Sequence, residues 1–177
     1  AKINKARYAI LGMLALLESA SGYDMKKKMA NSTDHFWKES DGALYPTLKQ
    51  LSDEGLLTCK IDNVASGKPK KMYTITEDGM SELLEWMAED FELATVRNEL
   101  VLKIFFGSLV DKKISIHHLK EFRYRNEKFL ARYRGDMARI ENSKNKDIYH
   151  YLTMRAGVMI KETFIRWCDE SLKLLDS

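Results

Sequence analysis

The sequence predicts a mainly helical protein with one small β-hairpin, built in two parts, and three observations predict it. Apolar residues recur at three- and four-residue intervals through most of the chain, as at Leu44, Leu48 and Leu51, the period of one buried helical stripe. Two short runs rich in Val, Ile, Thr and Tyr, residues 56–61 and 70–75, flank the turn-rich stretch NVASGKPK, as the arms of a hairpin would. Beyond about residue 95 no strand signal appears, and the helical repeats become longer. A chain of 177 residues, 45% hydrophobic and 31% charged, has the composition of a core-forming protein of one or two small domains.

Taken in order, residues 5–19 carry Tyr8, Ile10, Leu11, Leu14 and Leu17 on a first, largely buried helix. The SGYD stretch at 21–24 breaks it, with Gly22 as the turn residue, and a second helix runs from about Tyr23 to Ala30. Lys26, Lys27 and Lys28 lie opposite its Met25 and Met29. After a loop near 31–35, Ser40 or Asp41 can cap a third helix, because short polar side chains accept hydrogen bonds from the exposed N–H groups. Pro46 opposes the carbonyl four residues back, so an irregular or tightened first turn is expected. Gly55 supplies the left-handed conformation that ends this helix. After the hairpin, Thr76 caps a fourth helix whose stripe is Leu83, Leu84, Met87 and Phe91.

Three further helices complete the chain: a short one in RNELVLKIFFGSL and two long ones. The first long helix carries Leu119, Phe122, Phe129, Tyr133, Met137 and Ile140, with Asn126 in the gap, where a polar residue can fix register between helices. In the last, Tyr151, Val158, Ile165 and Leu172 recur every seven residues. Two such helices have more apolar surface than one chain covers, so they are expected to associate with a second copy.

Helix, turn, helix and hairpin is the order of a winged helix-turn-helix domain. The expected division is a DNA-binding domain over 1–94 and an all-helical dimerisation domain over 95–177. Tyr45, Thr47, Lys49 and Gln50 are read as the outward, DNA-facing side of the third helix, with hydroxyls suited to phosphate and Lys49 and Gln50 to base edges. The hairpin tip SGKPKK places Lys68, Lys70 and Lys71 beside Gly67 and Pro69. With Lys60 and Asp62, residues 60–71 hold a charge of +3, suited to a salt-sensitive phosphate contact. Residues 1–85 contain twelve Lys and Arg against twelve Asp and Glu, so any attraction for DNA rests on such clusters and not on the total. The bland reading of each feature is a solvated helix face and a solubilising turn; it is the two in sequence that favour DNA. The arginines of the long helix, among them Arg123, Arg125 and Arg132, read as the solvated face of a packing helix.

Enzyme signatures are absent: the chain has no phosphate-binding glycine loop, no nucleophile elbow and no HExxH pattern. His117 and His118 are adjacent and diverge by about 100° on a helix, and Cys59 and Cys168 have no metal-ligand spacing. A composite metal sensor is the weakest reading, and no cofactor is expected. The two cysteines are expected as buried thiols of a reducing compartment. The longest apolar run, residues 8–17, is too short for a bilayer and lacks a following cleavage site, which leaves no membrane role and an expected cytoplasmic location.

The segments YAILGMLAL…SGYDMKKKM, GALYPTLKQLSDEGLL and GKPKKMYTITEDG, in this order and spacing, resemble the PadR family of bacterial transcriptional regulators. The middle segment, with Tyr-Pro before Leu-x-x-Leu and then Glu-Gly-Leu, carries most of the specificity. ELVLKIFFGSL and IKETFIRWCDESLKLL extend the likeness to larger members, whose C-terminal helical dimerisation region is related to virulence activators. The resemblance implies a homodimeric repressor on a pseudo-palindromic DNA operator. The expected DNA-binding set is Tyr23, Ser40, Gly42, Tyr45, Thr47, Lys49, Gln50, Ser66, Lys68, Lys70 and Lys71. The expected dimerisation set is Phe122, Asn126, Phe129, Tyr133, Val158, Ile165 and Leu172. An effector is also implied, since members of the family respond to phenolic acids or planar drugs, but no motif assigns a small aromatic ligand to residues here. The alternative is a winged-helix adaptor that binds protein and has no operator.

Overall fold

The computed structural model describes residues 5–33, 36–37, 41–62, 69–93, 96–143 and 147–176. Its contacts divide into two units, Ala1–Glu92 and Leu93–Ser177. In the first unit, α1 (Ala6–Leu17) is apolar on several sides and buries Ile10, Leu11, Met13 and Leu14. The chain leaves it through a γ-turn at Glu18, whose φ of 60° is the strained hand for a non-glycine residue. There the Ser19 amide donates to the Leu17 carbonyl at 2.6 Å. Strand β1 (Ala20–Ser21) follows, and Ser21 caps α2 (Gly22–Ser32) by accepting from the Asp24 amide at 3.2 Å.

Helix α3 (Asp41–Asp53) is terminated by Gly55, whose φ of 77° is open to glycine. It leads directly into β2 (Leu57–Asp62), which pairs antiparallel with β3 (Lys70–Ile75) in the register Cys59 to Tyr73. The expected hairpin is thus one edge of a three-stranded antiparallel sheet of order β1-β3-β2. The Thr76 side chain caps α4 (Glu77–Ala88) through the Gly79 amide at 3.1 Å, as its position in the sequence implies. Around α1 these elements close one core that includes Met25, Leu44, Leu48, Leu51, Leu57, Tyr73 and Leu83. This is a winged helix-turn-helix.

Three expectations are corrected here. Pro46 lies inside α3, which is α-helical from Asp41 onward without the irregular turn expected of it. The face α4 turns inward is that of Gly79, Met80, Leu83 and Trp86, so Leu84 and Met87 stay more than half exposed, and Phe91 lies beyond the helix end. Cys59 is exposed, because Leu57 is the buried position of β2 and the strand is solvated beyond it. Cys168 is fully buried as expected.

The second unit holds α5 (Glu99–Phe105), a 3-10 turn at Gly107–Leu109, α6 (Lys112–Glu141) and α7 (Ile148–Asp176). At 30 residues α6 is about 45 Å long. It runs antiparallel to α7, tied by Arg123 to Asp169 at 2.6 Å and Arg134 to Glu162 at 2.7 Å, with Phe122 edge-on to Phe164 at 5.3 Å. Leu119, Leu130, Met154, Val158 and Cys168 fill the seam. Asn126 is buried in it too, donating from Nδ2 to the Phe122 carbonyl one turn back at 2.7 Å. The expectation that Asn126 and Val158 face a second copy is corrected, because the chain's own hairpin already covers them. Phe122, Tyr133, Ile165 and Leu172 are half-buried and Phe129 is 37% exposed. No helix among the described residues is long and apolar enough to cross a membrane.

Candidate nucleic-acid interface

Four segments of the winged unit converge on one cleft of about 730 Å³: the start of α2 with Ser21 before it, the outer side of α3, β3 with the residue before it, and β2 through Cys59. Tyr23 comes from the first, Tyr45 and Lys49 from the second, and Lys70 and Lys71 from the third. The close approach of α2 and α3 requires Gly22. A Cβ there would stand 2.7 Å from Cε1 of Tyr45, so glycine alone lets the ring lie against the helix start. Tyr23 and Tyr45 nevertheless remain 64% and 53% exposed. Two exposed phenols among three lysines suit the oxygens of a phosphate backbone.

The electrostatics are local and reversible. Lys49 pairs with Asp53 one turn further along α3, both well exposed, an arrangement worth about 0.3–0.5 kcal/mol that a phosphate can displace. Gln50, also exposed, donates from Nε2 to Glu54 Oε1 at 2.8 Å, so its amide is already oriented by the helix that carries it. The Ser21 hydroxyl donates to Asp24 Oδ2 at 2.6 Å and holds that carboxyl below its usual range, with Lys70 adding to the effect. Burial, helped by Cys59 across the sheet, pushes the Tyr73 phenol up.

Of the expected set, Tyr23, Tyr45, Lys49, Lys70 and Lys71 are brought together, and Gly42 and Gln50 are exposed on the same helix α3. Ser40, Ser66 and Lys68 lie outside the described residues. Thr47 is a correction: it is 3% exposed, and its hydroxyl donates to the Ala43 carbonyl at 2.7 Å. It falls between Leu44 and Leu48 on the inward arc, where a threonine hydroxyl satisfies itself on the turn behind.

Sequence reasoning missed the cleft's inner wall, Ser21, Gly22, Cys59 and Tyr73. It also missed Arg7. From α1, Arg7 Nη2 donates to Glu54 Oε2 at 2.7 Å and to Glu82 Oε2 at 3.0 Å, while its Nε lies 2.7 Å from Glu82 Oε1. Burial pulls this guanidinium down, but the two carboxylates more than offset that and raise it. Arg7 therefore ties α1, the end of α3 and α4 together. The period-2 alternation of Tyr73 was legible; contacts across 47 and 75 residues were not. Among the described residues no three His, Cys, Asp or Glu converge as a metal site would.

Comparison with known proteins adds to this geometry. The sequence model of the transcriptional regulator PadR-like family matches residues 10–85, and that of the virulence activator alpha C-terminal region matches residues 96–176. The negative transcriptional regulator PadR of Bacillus subtilis (strain 168) is 28% identical over 177 residues, covering 96% of this chain and 97% of the relative. The crystal structure of Bacillus subtilis PadR in complex with operator DNA matches with a TM-score of 0.90 at 26% identity, over 98% of this chain and 99% of that one. The structure of the same relative in complex with p-coumaric acid matches with a TM-score of 0.80 at 26% identity, over 97% and 98%.

Proposed function

Given that this chain belongs to the PadR-like family of transcriptional regulators, we propose that it is a homodimeric repressor whose hold on its operator is relieved by a small aromatic effector. Residues 1–94 bind DNA and residues 95–177 hold two copies together. The observation that carries the reading is the cleft in which Tyr23, Tyr45, Lys49, Lys70 and Lys71 meet. Helix α3 enters the major groove of a half-site, Gln50 and Lys49 reach base edges, and Tyr23, Tyr45 and the β3 lysines take phosphates. Two-fold symmetry then asks for half-sites about one helical turn, roughly 34 Å, apart. The sign of regulation follows the Bacillus subtilis relative, which is a negative regulator. An effector follows that relative's complex with p-coumaric acid.

Fluorescence anisotropy on duplexes from the chain's own upstream region tests this. The expected result is sequence-preferring binding that weakens steeply with salt. Lys70→Ala with Lys71→Ala should weaken binding on all duplexes and flatten the log–log salt dependence by about 0.9 for each phosphate no longer neutralised. An adaptor protein would lose nothing on DNA, and that outcome would overturn the reading.

A further inference from the structure

Two residues on the outer side of α3 each face an acid one turn further along. Lys49 pairs with Asp53, and Gln50 donates from Nε2 to Glu54 Oε1 at 2.8 Å. Glu54 lies just past the helix and continues its turn, its amide donating to the Gln50 carbonyl at 2.9 Å. The two acids are held differently. Asp53 is the more exposed, 62% against 37% for Glu54. The second oxygen of Glu54, Oε2, accepts from Arg7 Nη2 at 2.7 Å. Arg7 is gripped in turn by Glu82, at 3.0 Å through the same nitrogen and at 2.7 Å from Nε. The carboxylate that faces Gln50 is thus braced from α1 and α4, and the one that faces Lys49 stands out in solvent.

The brace has a chemical consequence. The two ends of a glutamine amide are alike in shape and opposite in hydrogen bonding, since the oxygen accepts and the nitrogen carries two donors. An ionised carboxylate only accepts, so only the nitrogen of Gln50 can face Glu54. Its outward edge then consists of the acceptor Oε1 and one remaining N–H. In the major groove adenine presents a donor at N6 and an acceptor at N7, the complement of that edge. Guanine presents two acceptors, O6 and N7, which ask for both hydrogens of a nitrogen turned outward. A glutamine free to turn can meet either purine, and one held at its nitrogen meets adenine.

We infer that Glu54, braced by Arg7, is a positioning residue that sets base specificity: it holds Gln50 as a reader of adenine and against guanine. The inference rests on the DNA-binding reading above, in which Gln50 reaches a base edge. Neither Glu54 nor Arg7 needs to touch DNA for this. Arg7 has donors alone, so it fixes which end of an amide at residue 54 would face it. In Glu54→Gln the new oxygen must face Arg7, because the nitrogen there would oppose donor to donor. The new nitrogen then faces Gln50, which turns its own oxygen inward and presents its nitrogen to the groove. That is the edge guanine takes.

Selection by the full chain from a randomised duplex library, with sequencing of the bound fraction, tests this. The parent should enrich adenine over guanine at one position of each half-site by about five- to 150-fold, the discrimination a bidentate contact gives. Gln50→Ala should erase that preference and so mark the position. Glu54→Gln, nearly the same in shape, should turn it over to guanine while preferences at the other positions persist. Glu54→Ala, or Arg7→Met added to Glu54→Gln, lets the amide turn either way and should leave both purines accepted. If residue 54 were only structural, its variants would weaken all positions together or keep adenine in place, and either result refutes the inference. A Gln50→Ala chain that keeps every base preference sinks the inference alone. A parent with no sequence preference at all sinks the regulator reading and this one with it.

Discussion

Ile10, Leu11, Leu14, Leu48 and Leu51 of the winged unit are each at most 1% exposed, enclosed by helices and a sheet that approach from several directions. The helical unit, of similar length, buries Leu119, Leu130, Met154, Val158 and Cys168 along one seam. A helix in a hairpin meets one neighbour, so most of its circumference faces outward. Along α7 Leu152, Met159 and Ile160 are left 53–55% exposed, and Phe105 on α5 is 78% exposed. The winged unit has an enclosed core, although Leu16, Leu84 and Met87 remain exposed on it, whereas the helical unit has only a seam and carries apolar surface that a second copy can cover. The lesson concerns thermodynamics: the stability of the first should be indifferent to protein concentration and that of the second should not.

The largest expected effect tests the first half of that contrast. Leu48→Ala should cost about 2–5 kcal/mol, with a lowered Tm that does not move with protein concentration. Met159→Asp with Ile160→Asp should instead lower Tm most at low concentration and shift sedimentation toward the monomer. An equal loss at every concentration would break the comparison. Arg7→Met removes the tie among α1, α3 and α4 while keeping the stem. With both carboxylates partly solvated the expected cost is about 1 kcal/mol, accompanied by weaker operator binding. Smaller still, Glu18→Gly should raise stability by up to about 1 kcal/mol, because glycine accepts the positive φ that glutamate is forced into.

The difference between the pH titrations of the parent and of Asp24→Asn isolates one carboxylate of the interface. Asp24 is depressed in the folded state, chiefly by the Ser21 hydroxyl. Its contribution is therefore fully present above the ordinary carboxylate value near about 3.9 and is lost as pH falls through the depressed folded value. Asp24→Asn should flatten that part of the acid limb of chemical denaturation, and an unaltered limb would sharpen attention on other carboxylates.

Local signals carried far along this chain. The cap at Thr76, the turn at Gly55, the hairpin strands and the long helices all appear where composition and period place them, because each depends on residues within one or two turns. The failures share a cause. Thr47 and Gln50 both look outward from α3 on hydropathy alone, yet Thr47 lies on the inward arc against the core and Gln50 does not. Asn126 and Val158 carry the repeat of an intermolecular seam, but the antiparallel return of α7 reaches them first. Leu84 and Met87 share a stripe with Leu83, and the direction from which α1 arrives selects Leu83 alone.

By itself the sequence determined the element order, the caps and turns, the location of the basic hairpin and the family likeness, since all of these are written in spacings of a few residues. Tertiary structure alone decided which tyrosines and lysines share a cleft, that Gly22 lets Tyr45 lie against α2, and that Arg7 reaches Glu54 and Glu82. Those outcomes depend on how separately formed elements approach one another. That approach is set by the packing of the whole core, and no local spacing records it.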